Sequence, residues 1–330
     1  MDTRKLSEIA LILVGFALIL FLLEKFQSFL RPLTIAVLLS LLFTPTLRRS
    51  KKDKVKAGLK FAGTALLLLA VVIGLGASFT NADLSGLALN EDFFSGISIS
   101  FAGKTVYLSN VVDTNRIMNV VGTAVGAFAT GITAFVSEFF LIILFIAFVL
   151  PAMNIWIRNM TRKMKEKEKR EFRKVIHDME DGIQEYIKAK TIISLGTAFT
   201  SLVVMMLFGV EYFLIFSVVI FILNYIPSIG SIIAVISVLL LQVFAMGLGV
   251  KFILLAVLLT SIQMLFGNYI EPKFTGKKLN ISPLIVLISL FFWGAIWGVA
   301  GMLFSVPLTL AIKIILEHNE TTKGLARYIS

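Results

Sequence analysis

Long apolar runs separated by short charged links organise the chain. They lie at Ile9–Leu23, Leu33–Leu47, Phe61–Phe79, Val120–Pro151, Thr191–Gly209, Tyr212–Met246, Lys251–Gly267 and Ser282–Leu316. Crossing a bilayer takes about 20 apolar helical residues. The pattern predicts an all-α polytopic integral membrane protein with about six full transmembrane helices and two interrupted stretches. The first interruption is Asn224–Ser231, with Pro227 and Gly230; the second is Trp293–Gly301, with Gly294 and Gly298. Proline removes a backbone donor and glycine weakens a helix. Such backbone is tolerated at membrane depth only inside protein or beside a water-filled cavity. Each stretch therefore reads as a helical hairpin, either re-entrant or made of two short paired spans. The first apolar run reads as a retained helix, since Glu24, Lys25 and Phe26 follow it instead of a small-residue cleavage site. Arg31-Pro32 separates it from the second run.

Two segments carry other periods. Phe172, Val175, Ile176, Met179, Ile183, Tyr186 and Ile187 recur at helical spacing, which predicts an amphipathic helix. Ile97, Ile99 and Phe101 alternate with serines ahead of Ala102-Gly103-Lys104, a small hairpin signal. The predicted organisation is transmembrane helices over 1–79, an extracytoplasmic segment over 80–118 and a transmembrane helix over 119–156. A basic then amphipathic cytoplasmic helix covers 157–190, a transmembrane core with both broken helices 191–318, and a tail 319–330.

Composition sharpens this picture. Of 330 residues, 58% are hydrophobic and only 15% charged, and the net charge is +11. Arg48–Lys60 and Arg158–Lys174 are basic, the latter with nine Lys/Arg against three Glu. Cytoplasmic loops carry such excess, and this places both termini in the cytoplasm. The charge is thus accounted for without nucleic acid. No cysteine is present and only His177 and His318 are histidines, so the sequence offers neither a zinc motif nor thiol chemistry. Gly103-Lys104-Thr105 lacks the rest of a phosphate-binding loop, and protease motifs are absent. The reading is a non-enzyme with no cofactor and no metal.

Few ionisable groups fall near the apolar runs: Glu138, Glu211, Lys251 and Glu271. Intramembrane acids mark ion or proton paths, which makes Glu271 and Glu138 candidates for a coupling ion or proton. Paired interrupted segments point to a transporter's binding site. Asn224, Pro227, Gly230 and Ser231 are therefore candidate substrate-binding residues, and Gly294, Gly298, Gly301 and Pro307 candidate hinges. Small-residue helix packing is the competing explanation for the glycines.

Asn224-Tyr225-Ile226-Pro227-Ser228-Ile229-Gly230-Ser231-Ile232-Ile233-Ala234 resembles the signature of the autoinducer-2 exporter, or PerM-like permease, family. Three further elements match: Tyr186-Ile187 with Lys190-Thr191 and Ser194; Asn268-Tyr269-Ile270-Glu271-Pro272 with Gly276 and Ser282-Pro283; and Phe292-Trp293-Gly294 through Ser305-Val306-Pro307-Leu308. The resemblance implies a secondary transporter in a bacterial or archaeal plasma membrane, exporting a small polar molecule such as a quorum-sensing furanone. It equally implies, as alternatives, a sodium(lithium)/proton antiporter, and a homo-oligomer such as a pentamer. A channel or a non-transporting scaffold is the rival from another class.

Overall fold

A computed structural model describes residues 3–47, 98–101, 104–107, 114–275 and 281–329. The third apolar run, the basic stretch 48–60 and Lys277-Lys278 lie outside the described residues. The helices are α1 (Thr3–Lys25), α2 (Gln27–Leu47), α3 (Thr114–Arg162), α4 (Glu166–Leu207), α5 (Phe213–Leu223), α6 (Ile229–Met246), α7 (Val250–Met264), α8 (Glu271–Thr275), α9 (Pro283–Glu317) and α10 (Lys323–Ile329), with a π turn at Leu265–Ile270. Strands β1 (Ser98–Phe101) and β2 (Lys104–Tyr107) pair antiparallel, Ser98 opposite Tyr107. Apart from this ribbon the described chain is helical, an all-α polytopic membrane protein. Among the described residues, four helical stretches are long and apolar enough to cross a bilayer: Glu138–Arg162, Glu166–Leu207, Val250–Phe274 and Pro283–Glu317.

The chain folds as two compact units. Among the described residues, those within 1–63, 138–189 and 274–330 form unit one, and those within 64–137 and 190–273 form unit two.

In unit one, α1 and α2 are bent by 94° at Phe26. The sequence places this boundary at Arg31-Pro32, but both residues lie inside α2. Pro32 sits early in that helix and forgoes only one backbone donor. The two runs are therefore a bent pair, and with that pair taken as one span the described residues hold up to five. The apolar core joins Leu38, Leu41, Ile183, Trp293, Trp297, Leu308 and Ile314.

Helix α9 is not a straight span. Gly298 has φ 61° and ψ −142°, outside the helical region. Ser289 Oγ donates to the Ser305 carbonyl at 3.0 Å, 16 residues along, and also meets Thr309 Oγ1. In a straight helix 16 residues span about 24 Å. The arms before and after Gly298 are therefore folded back on each other. A Cβ on Gly301 would lie 2.0 Å from the Trp293 carbonyl oxygen, so the reversal needs glycine there.

Unit two holds the other break. The 11 residues of α5 span about 16 Å, too few to cross the roughly 30 Å hydrocarbon core. Helices α5 and α6 pack together, and a Cβ on Gly230 would lie 1.8 Å from the Leu223 carbonyl oxygen. Ser228 at the turn holds φ 58°, a strained value for a residue with a side chain. The amphipathic stretch 172–187 and the fifth apolar run are one unbroken helix, α4.

Forcing a methyl group into either contact must push backbone aside. Gly230→Ala and Gly301→Ala should each destabilise the protein by about 2 kcal/mol or more. Gly249→Ala, with open space around its Cα, should leave the midpoint unchanged. Thermal unfolding in detergent measures all three.

Candidate functional site

Lys190, Ser194, Thr197 and Ser201 follow one another at four, three and four residues on α4, which is one helix face. All four are buried: Lys190 is 1% exposed and the three hydroxyl residues 0%. Polar groups buried in an apolar span are costly unless paired. Asn224, at the end of α5, donates from Nδ2 to Ser194 Oγ at 3.1 Å. Tyr225 hydroxyl and Thr191 Oγ1 share a hydrogen bond of 2.7 Å. Lys190 Nζ donates to Glu271 Oε1 in an ion pair. Thr197 Oγ1 turns back to the Ile193 carbonyl at 2.8 Å. Ser201 Oγ and Gln263 Nε2 are buried with no hydrogen-bond partner among the described residues.

Glu271 is held by an unusual local structure. The sequence predicts a loop over Asn268–Asn280, but the chain stays helical to Thr275, through the π turn and α8. Pro272 has no N–H to give to the preceding turn, and π turns accommodate such a gap. The Glu271 N–H reaches back to the Phe266 carbonyl, five residues earlier. The Phe266 ring lies where a side chain on Gly196 would go: a Cβ there would meet it at 2.6 Å. Glycine at 196 thus lets the π turn press against α4 and brings Glu271 to Lys190.

The structure therefore gathers Asn224 and Glu271 on one face region of α4, through partners one helical turn apart. Pro227 lies in the break. Ser231 Oγ turns locally to the Ser228 carbonyl at 2.9 Å. At Gly230 the close approach is by the chain's own Leu223 carbonyl.

Glu138 belongs to unit one and has its own cation. Arg31 Nε donates to Glu138 Oε1, and Arg31 Nη1 to the Trp297 carbonyl at 3.3 Å. That carbonyl adjoins the break at Gly298. The Trp297 indole N–H in turn donates to the Leu23 carbonyl at 3.3 Å, beside the α1–α2 bend. Gly294 packs on the Met302 side chain and Pro307 is buried in the second arm. Glu211 and Lys251 are exposed. Among the described residues no cluster of three metal-ligating side chains occurs.

Lys190 enters the sequence reading only within a family-like element, and Arg31 only as a helix boundary; neither receives a role in the site there. Each stands at the polar edge of an apolar run and looks like an interfacial charge. The signal for Lys190 is its register with three buried hydroxyls; for Arg31 no local signal exists.

The AI-2E family transporter profile matches residues 9–320. The chain belongs to this family. A putative transport protein of Haemophilus influenzae is 37% identical over 221 residues, 65% of this chain and 61% of its own length. One from Borreliella burgdorferi is 32% identical over 199 residues, 60% of this chain and 55% of that protein. The AI-2 transport protein TqsA of Escherichia coli is 36% identical over 150 residues, 46% of this chain and 43% of TqsA. The matches thus span roughly half of these relatives. The putative permease PerM of Escherichia coli is 24% identical across 96% of this chain and 93% of its own length.

Removing one partner of a buried ion pair leaves an uncompensated charge. Lys190→Met should destabilise this AI-2E family member by about 3 kcal/mol. Adding Glu271→Gln should recover most of that loss. A double-mutant cycle on thermal unfolding gives the coupling; additive effects would mean the pair contributes nothing.

Proposed function

We propose that this AI-2E family transporter works as a secondary exporter of small polar molecules of the furanone type, with Asn224 binding substrate and Glu271 coupling transport to a cation or proton. The carrying observation is the buried polar face of α4, paired to Asn224 and Glu271, in a helix otherwise fit for lipid. The name of the AI-2 transport protein TqsA, a relative over part of the chain, supports the substrate class. Asn224 offers an amide donor and acceptor to a hydroxylated ligand. A carboxylate paired to Lys190 suits exchange, because a cation that takes the ammonium's place on Glu271 keeps the site neutral when Lys190 gives up its proton in the same step. That same pair favours sodium or lithium exchange for protons as the second reading. The working unit on this proposal is a homo-oligomer in the plasma membrane, both termini cytoplasmic.

Purified protein in liposomes tests the reading, with flux followed with and without a pH or sodium gradient. Asn224→Leu should lower furanone flux about tenfold while the protein still inserts. Glu271→Gln should abolish the gradient-driven part and spare substrate binding. Gradient-driven sodium flux without furanone flux selects the second reading; flux that never saturates selects a channel. Wild-type flux in both variants overturns the site.

A further inference from the structure

The turn where α3 meets α4 carries a feature that transport does not explain. Helix α3 ends at Arg162 and α4 begins at Glu166. Arg158 and Arg162 on the first helix, and Lys167, Arg170, Arg173 and Lys174 on the second, are all exposed. The acids beside them are engaged locally: Glu168 Oε2 accepts the Lys165 N–H at 3.1 Å, and Glu166 pairs with Lys169 at 3.2 Å. These contacts cap and complement the start of α4. Of the three acids in Arg158–Lys174, the exposed Glu171 remains to offset the six long cations, which outnumber it.

Directly behind this charge stand exposed apolar side chains. Ile155 is 52%, Trp156 54% and Met160 41% exposed, all in the last turns of the Glu138–Arg162 span. The Trp156 and Phe172 rings lie 6.2 Å apart, tilted at 58°, and tie the end of α3 to the start of α4. An apolar and aromatic band grading within two turns into dense positive charge matches the layering of acyl chain, interface and phosphate at a bilayer surface. Both helices present these cations on long stems, which reach toward a headgroup while their methylenes stay on the apolar side.

We propose that this elbow is a binding site for anionic phospholipid headgroups, with Arg162, Arg170 and Arg173 as its main phosphate contacts and Trp156 seated at the acyl boundary. Guanidinium forks pair with phosphate oxygens in a bidentate manner. Basic side chains beside a membrane are drawn to acidic lipid over a distance of about a Debye length.

Full-length protein is reconstituted with brominated phosphatidylglycerol or brominated phosphatidylcholine, and quenching of Trp156 fluorescence is read. Trp293 and Trp297 are buried, and Trp156→Phe protein supplies their background. The wild type should associate with the anionic lipid at least about threefold more strongly than with the zwitterionic one. Combined Arg162→Glu, Arg170→Glu and Arg173→Glu substitutions should remove the preference. So should 1 M salt, where the Debye length falls to about 3 Å. If the triple variant is not recovered, the salt series on wild type decides alone. Equal quenching by both lipids at low salt, or a preference that outlives salt or charge reversal, overturns the proposal.

Discussion

Backbone that leaves the helix at membrane depth must find its hydrogen-bond partners within the protein, because lipid offers none. This constraint governs both breaks. Beside Gly298 the Trp297 carbonyl is met by Arg31, and Glu138 balances the charge that Arg31 brings. The Trp297 indole then serves the Leu23 carbonyl at the α1–α2 bend. Two irregular backbone sites in unit one thus satisfy each other through two side chains. At the break in unit two the chain turns tightly on itself. Tyr225 N–H reaches the Ile222 carbonyl at 3.1 Å, and Ile226 N–H reaches Leu223 at 2.9 Å. Gly230 N–H reaches Ile226 at 3.3 Å. A missing partner at such a site would cost several kcal/mol. The glycines at 230 and 301 let each reversal close to hydrogen-bond range.

The same accounting extends to charge. The described residues bury Lys190 beside Glu271 and bring Arg31 to Glu138. A lone ion would be far more expensive than either pair. In unit one Glu138 has a structural task in neutralising Arg31. In unit two Glu271 is held by a π turn, a local geometry that often marks functional positions. The two acids, alike as sequence, thus stand in different surroundings: one completes a scaffold, the other borders the polar face of α4.

Much of the fold was legible because hydropathy and backbone grammar are local. The apolar runs set the fold class, and Asn224–Ser231 and Trp293–Gly301 marked both breaks through their own glycines and proline. What the sequence could not display was partnership. Arg31 finds Glu138 107 residues away, and Lys190 finds Glu271 81 residues away; no periodicity encodes either. Residues 268–275 read as a loop because the apolar run ends at Gly267 and lysines follow, yet the π turn carries the helix on and absorbs the donor that Pro272 lacks. The α1–α2 boundary falls at Phe26 because Pro32 is tolerated near a helix start. Asn224 was readable as a polar group at a break, whereas its Ser194 partner required the packing of α5 against α4.

The account rests most heavily on the folded-back form of residues 283–317, whose composition alone would suit a single span. Leu284 and Ile312 are exposed on opposite arms, and the chain has no cysteine to interfere with labelling. Spin labels on Leu284→Cys and Ile312→Cys give their separation in the reconstituted protein. Two helices packed at 8–10 Å should hold the labels within about 25 Å once linker lengths are included. A separation near 42 Å, that of a straight helix, would contradict the hairpin and the hydrogen bonds that close it.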